Sequence, residues 1–109
     1  MPNYSKNEVI LVRYPFSDLS GSKIRPAIIA SEPHVSRDVI IVPLTSRTTT
    51  LLAGEFVLAD WAGAGLNVAS AVKRGLYTVH ATLIVRAVGR LSLADAQRVE
   101  QSLRDWLGL

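Results

Sequence analysis

The chain of 109 residues contains no cysteine, which excludes disulfide bonds and thiolate metal sites. It has only two histidines, His34 and His80, at unrelated positions, so a histidine metal site is not expected. No segment of the sequence approaches the roughly 20 apolar residues that span a bilayer. Residues 1–6 lack the apolar stretch that follows the charge in a signal peptide. We therefore expect a cytoplasmic protein that needs no cofactor.

What the chain does contain is typical of a small globular domain. Hydrophobic residues make up 49% of the sequence, which is too many for a disordered chain. The length fits one domain over residues 1–109, with a small core. The formal net charge of +3 suits an anionic partner, although a small excess of lysine and arginine is also common on surfaces that bind nothing.

Most of the secondary-structure signals before residue 90 are β. Runs rich in valine, isoleucine and leucine alternate with polar turns, which is typical of short strands. The predicted strands are residues 8–14, 26–31, 38–44, 55–58, 70–73 and 83–88. The first is apolar on both faces apart from Arg13, so we expect it to be central or curled. Several short strands with close turns predict an antiparallel barrel or sandwich.

The C-terminal segment has helical periodicity instead. Its apolar residues recur at helical spacing: Leu93, Ala96, Val99, Leu103, Trp106 and Leu107. Ser92 is placed to cap the N-terminus, with Asp95 near its positive end, and Gly108 is placed to end the helix. Glu100 and Arg104 lie four residues apart on the opposite side. The predicted fold is therefore mainly β with a C-terminal helix that covers the sheet and completes the core.

Three motifs, in order, resemble those of a known family. Arg25-Pro26 follows a polar loop between two apolar runs, and Thr45, with Ser46 beside it, follows the third apolar run. Residues 89–92, Gly-Arg-Leu-Ser, precede the helix. This order resembles the MazF/PemK family of endoribonuclease toxins from bacterial type II toxin–antitoxin pairs. The resemblance implies an SH3-like small β-barrel of the MazF/PemK/CcdB type, a homodimer, and RNA cleavage without a metal.

The chain departs from the family pattern at two places. Asn7-Glu8 stands where the family usually has Gly-Asp, which keeps the negative charge on a longer side chain. Residues 74–77, Arg-Gly-Leu-Tyr, stand where many members carry a polar pair such as Asp-Gln. The substrate contacts of the family therefore do not carry over to this second segment.

The resemblance also implies a reaction and the residues that perform it. In metal-free cleavage the ribose 2′-hydroxyl attacks the adjacent phosphorus, leaving a cyclic phosphate and a free 5′-hydroxyl. Extra negative charge on the phosphoryl oxygens must then be stabilised, and the forked guanidinium of an arginine suits that task. The predicted catalytic residues are Arg25 and Thr45, the latter as a hydroxyl donor. The predicted substrate-binding residues are Asp18, Ser20, Gly21, Lys23, Ser46, Arg47 and Lys73.

Each assignment has a structural alternative. Arg25 could be an ordinary surface arginine, and the Thr45 hydroxyl could cap the end of a strand. Trp61 could stack on a base or pack in the interior. Six cations either line a phosphate groove or form a scattered, solvated set: Arg13, Lys23, Arg25, Arg47, Lys73 and Arg74.

Three classes of function remain open. The first, implied by the resemblance, is a toxin that cuts single-stranded RNA and is silenced by a small acidic antitoxin. The second is a catalytically silent member or a gyrase poison of the same barrel, similar to CcdB. The third is an unrelated small barrel that binds nucleic acid or protein through basic charge alone. Arg25 and Thr45 discriminate among them, because a protein that only binds does not need that pair.

Overall fold

The computed structural model describes residues 4–14 and 23–109. Within them the chain forms seven strands and one α-helix, and all strand pairs are antiparallel. The elements are β1 (Glu8–Tyr14), β2 (Lys23–Ile29), β3 (Asp38–Thr45), β4 (Phe56–Val57), β5 (Ala71–Val72), β6 (Tyr77–His80), β7 (Ile84–Arg90) and α1 (Leu93–Leu107). One turn of 3-10 helix, Ala81–Leu83, joins β6 to β7. A mainly β fold with a C-terminal helix is thus confirmed.

Strand β3 organises the sheet because it pairs with three others. The sheet order is β4-β5-β3-β2-β1-β7, and β6 also pairs with β3. Asp38–Ile41 of β3 pair with β6, whereas Leu44 and Thr45 pair with β5. Pro43 lies between these two pairings, at the point where β3 changes partner. A proline is tolerated there because no ladder hydrogen bond requires its missing N–H.

Strand β1 lies between β2 and β7 and buries both of its faces, as its sequence predicts. Val9 belongs to one hydrophobic cluster, together with Ile28, Val42 and Leu44. Ile10 and Val12 belong to a second cluster on the other face, formed by residues of β2, β3, β6 and β7. Because side chains alternate along a strand, this continuous apolar run supplies two cores at once.

Helix α1 has the predicted caps. The Ser92 Oγ accepts a hydrogen bond from the Asp95 N–H, and Gly108 adopts a left-handed conformation with φ 75°. Val99 is buried, and Ala96 and Leu103 pack against the first cluster. Trp106 is not in the core: its side chain is 48% exposed and belongs to neither hydrophobic cluster. No helix in the described part of the chain has the length and hydrophobicity to cross a bilayer.

The loop between β4 and β5 is held against both α1 and β7. Asp95 is fully buried, and its carboxylate accepts hydrogen bonds from the N–H groups of Ala59 (3.0 Å) and Asp60 (2.9 Å). Further along the loop, Gly65 has a φ of +90°, and a Cβ added there would clash with the Val88 carbonyl oxygen. Only glycine permits this approach, so the loop passes directly beside β7 at Gly65.

Candidate functional site

An open groove of about 850 Å³ lies at the end of the sheet where β2 and β3 separate. It is lined by Leu11, Arg25, Pro26, Pro43, Leu44, Thr45, Ser46, Arg47, Gly65, Leu66, Asn67, Val68, Ser70, Lys73, Arg74, Tyr77, Arg86 and Val88. Five of these side chains are cationic, and none is an aspartate or a glutamate. In the described ranges, none of the five cations forms an ion pair. Their charge is therefore available to an anionic ligand.

The groove opens because Pro26 ends the ladder between β2 and β3. The Ala30 N–H donates to the Ile40 carbonyl at 2.8 Å, so even-numbered residues of β2 direct their N–H groups toward β3. This alternation also turns the nitrogen of Pro26 toward β3, but proline has no hydrogen to donate. The observed pairing of β2 with β3 accordingly stops at Ala27↔Pro43.

Arg25 and Thr45 both line this opening. The β2–β3 register runs from Ile29↔Ile41 to Ala27↔Pro43, and its continuation by two steps, past the last observed pair, leads to Arg25 on one strand and Thr45 on the other. Residues directly opposite each other in an antiparallel ladder point to the same face. Both residues line the groove, so the fold brings the two predicted catalytic residues together.

The Thr45 hydroxyl is oriented by its own turn. Its Oγ1 accepts a hydrogen bond from the Arg47 N–H at 3.1 Å, which is the capping role considered as an alternative. That bond occupies a lone pair and leaves the hydroxyl hydrogen free to donate. The structural and the functional roles of Thr45 are therefore compatible.

The other predicted substrate-binding residues divide into three groups. Ser46, Arg47 and Lys73 line the groove with Arg25 and Thr45. Lys23 lies opposite Tyr14 at the start of β2 and does not line it. Asp18, Ser20 and Gly21 lie outside the described residues. Of the six cations considered together, Arg74 also lines the groove and Arg13 does not.

Residues 5–107 match the family model of PemK-like, MazF-like toxins of type II toxin–antitoxin systems. The chain belongs to this family. No curated protein matches it in sequence, whereas solved structures match its whole length.

Three solved structures illustrate this similarity. MazF in a MazE–MazF complex from Deinococcus radiodurans has a TM-score of 0.80 at 15% identity, over 99% of each chain. A mycobacterial endoribonuclease in complex with its cognate antitoxin has a TM-score of 0.74 at 17% identity, over 97% of this chain and 96% of that one. The toxin MazF-mt6 of Mycobacterium tuberculosis has a TM-score of 0.74 at 21% identity, over 94% and 97%. At such identities the likeness shows the MazF fold.

The segment where this MazF-like toxin departs from the family pattern lies on the groove wall. Arg74 and Tyr77 both line the groove, so a cation and a phenol stand near the place of the polar pair. Behind them, Glu55 accepts hydrogen bonds from the N–H groups of Leu52 (2.8 Å) and Arg74 (3.1 Å). These two bonds, and then the charges of Lys73 and Arg74, lower the pKa of Glu55.

Two groove residues of the toxin had no sequence signal. Arg86 lies on β7 opposite Leu11 of β1, and both line the groove. Asn67 projects from the loop that runs beside β7 and is also a lining residue. Both positions depend on the pairing of β7 with β1 and on the packing of the 59–69 loop, which no local sequence pattern encodes.

Trp61 and the two histidines make local contacts in the toxin. Trp61 is half-buried and packs against the first hydrophobic cluster, which confirms the packing interpretation. His34 and His80 are exposed and bond to Ser36 and Thr82, each two residues along the chain. Neither histidine lines the groove.

Proposed function

We propose that this toxin is a sequence-selective, metal-independent endoribonuclease that cuts single-stranded RNA. The observation that carries the proposal is that Arg25 and Thr45 line one groove whose charged lining is entirely cationic. Structures of the same fold described as endoribonucleases support it. Cutting of mRNA would inhibit translation and growth.

In the proposed reaction the substrate supplies its own nucleophile. The 2′-oxygen loses its proton and forms a bond to the adjacent phosphorus, and the bond from phosphorus to the 5′-oxygen breaks. The 5′-oxygen takes up a proton, and a cyclic phosphate remains. Arg25 donates to the phosphoryl oxygens as their negative charge grows, and Thr45 donates its hydroxyl to one of them.

The rest of the groove binds the neighbouring nucleotides in this proposal. Arg47, Lys73, Arg74 and Arg86 would hold phosphates on either side of the cleaved bond. The lining residues 65–68 carry no charge and are suited to bases.

Purified toxin in excess EDTA should cut a diverse pool of single-stranded RNA at a short preferred sequence. The reason is that arginine and hydroxyl donors stabilise the phosphoryl charge themselves. Sequencing of the cleaved ends gives the preference, and the 5′ fragment should end in a cyclic phosphate. Cleavage that requires added Mg²⁺ would contradict the mechanism. No cleavage anywhere in the pool would contradict the enzymatic function and favour a binding protein of the same fold.

We further propose that a small acidic antitoxin silences the toxin by occupying the groove. Two of the similar structures are complexes with an antitoxin. A groove that holds phosphates also attracts carboxylates, and a flexible tail would order on binding. The antitoxin and an uncleavable RNA analogue should therefore compete in a titration followed by fluorescence anisotropy. Simultaneous binding without mutual weakening would exclude inhibition by groove occupation.

The toxin is also proposed to act as a symmetric homodimer. One small domain offers little surface for several nucleotides, and the mean hydropathy of +0.26 agrees with apolar surface that a partner would cover. Light scattering at micromolar concentration should give twice the mass of one chain. A mass of one chain under these conditions would contradict the homodimer.

A further inference from the structure

The carboxylate of Glu55 connects its own turn to a second segment, which lines the groove. Its Oε1 accepts from the Leu52 N–H, near the end of the segment that follows Arg47, and its Oε2 accepts from the Arg74 N–H. Leu52 and Arg74 are far apart in sequence and belong to no common strand pair. One side chain therefore ties the Leu52–Glu55 turn to Arg74, a residue of the groove lining.

The base of this connection is rigid. The residue before Glu55, Gly54, offers its carbonyl to the Ser102 hydroxyl of α1 at 2.8 Å. The residue after it, Phe56, starts β4 and lies 4.1 Å below the guanidinium of Arg98, also on α1. Glu55 is thus held between two contacts to the helix. Its carboxylate therefore has a fixed position from which it accepts the two backbone hydrogen bonds.

The Arg74 backbone depends on this contact. The preceding Lys73 donates its N–H to the Pro43 carbonyl at 2.9 Å and is thereby fixed to β3. The next residue, Gly75, has no side chain that could limit its backbone. Between them, the Arg74 N–H is held by the Glu55 carboxylate. Without this hydrogen bond, the Arg74 backbone would adopt several conformations, and its guanidinium would not be held in one position.

We propose that Glu55 is a positioning residue that fixes Arg74 in the groove for a phosphate of the bound RNA. This role rests on the proposed function, since it concerns how the same groove holds RNA. Glu55 does not line the groove and has no contact with the reacting atoms. Its low pKa, caused first by the two backbone bonds, keeps it ionised at neutral pH, where both bonds persist.

The sign of the effect separates positioning from simple electrostatics. Glu55→Gln removes a negative charge close to Lys73 and Arg74, and charge alone would therefore make RNA bind more tightly. Positioning predicts weaker binding, because an amide can accept from only one of the two N–H groups. Glu55→Asp keeps the charge but shortens the side chain by one methylene, so it too should fail to bridge the two segments.

The experiment compares wild type, Glu55→Gln, Glu55→Asp and the control Glu100→Gln. Glu100 is an exposed carboxylate of α1 paired with Arg104 and Lys6, and its replacement makes the same change in net charge away from the groove. The readouts are kcat and KM for a cleavable RNA, and the salt dependence of binding to a 2′-deoxy analogue. Thermal melting establishes that each variant is folded.

Both Glu55 variants should raise KM about tenfold, on the scale of one lost hydrogen bond to a charged group, with kcat within about twofold of wild type. The slope of log affinity against log salt should fall by about 0.7, the value for one phosphate contact on a single strand. Glu100→Gln should match wild type. The amide shifts of Leu52 and Arg74 should follow one common acid titration in wild type and lose it in Glu55→Gln.

Unchanged or tighter RNA binding by folded Glu55 variants would overturn the positioning role while leaving the endoribonuclease proposal intact. Separate titrations of the two amides in wild type would also overturn it, without any use of RNA. Wild-type toxin that neither binds nor cuts RNA would overturn the proposed function, and the role of Glu55 with it. The first failure would appear in RNA binding by the variants, the second in the amide titrations of wild type, and the third in RNA binding and cleavage by wild type.

Discussion

Replacement of Arg25 by alanine should lower kcat for RNA cleavage by at least about 100-fold, the usual scale for loss of one donor that stabilises developing charge. The effect is expected in kcat because this charge is largest in the transition state. The melting temperature should stay near that of wild type, since the Arg25 side chain is exposed and outside both hydrophobic clusters. Single-turnover cleavage in EDTA measures the chemical step directly.

The neighbouring strand offers a matched control for this prediction. Arg13 on β1 pairs with Ile24, one step from the Val12↔Arg25 pair, but it does not line the groove. Arg13→Ala makes the same change in charge and should cleave within about twofold of wild type, because isolated surface charges have small effects.

Arg25→Lys should recover only part of the rate, because an ammonium cannot donate as a fork. Thr45→Ala should cost less than Arg25→Ala, since it removes one neutral donor. Near-wild-type cleavage by a folded Arg25→Ala would show that the charge is stabilised elsewhere.

Replacement of Asp95 by alanine should have the largest effect on stability, a loss of about 2–4 kcal/mol in the free energy of unfolding, because two backbone N–H donors lose the buried, charged carboxylate that accepts from both. Asp95 is fully buried, and its carboxylate accepts from Ala59 and Asp60 while it lies 3.7 Å from the Arg98 guanidinium. The carboxylate also stands in the first turn of α1, where a negative charge is favourable. Urea denaturation followed by circular dichroism gives the change.

Asp105→Ala is the control for Asp95, since it removes the same group from the same helix. Asp105 is exposed and accepts from the Gln101 side chain, so its loss should change stability by less than about 0.5 kcal/mol. Asp95→Asn should fall between the two, because one amide oxygen can satisfy only one of the two donors well. Equal stability of the Asp95 and Asp105 variants would mean that water replaces the buried carboxylate in the loop.

Much of the fold follows from local patterns that the sequence displays directly. The bounds of β1 and both caps of α1 were predicted as they are observed, because an apolar run or a capping serine and glycine acts within a few residues. Strand β2 begins at Lys23 and not at Pro26. The reason is that the missing N–H of Pro26 faces β3, so the ladder with β1 continues past it to Tyr14↔Lys23.

The elements that were missed depend on contacts between distant segments. Strand β6 was not predicted, because only Val79 of its four residues is buried and the rest carry polar or exposed groups. These four residues form a strand because they pair with β3. Arg86 was missed for the same kind of reason: alternation places it on one face of a strand, but only the pairing with Leu11 directs that face to the groove.

The missing amide hydrogen of Pro26 has a consequence for how such toxins can diversify. At the entrance of the groove the main chain of Pro26 cannot donate a hydrogen bond to β3. β2 and β3 therefore cannot pair there, whatever side chains surround them. Residues on the walls are then free to change without closing the site. Recognition could thus drift from one RNA sequence to another on an unaltered frame, consistent with a shared fold at 15–21% identity.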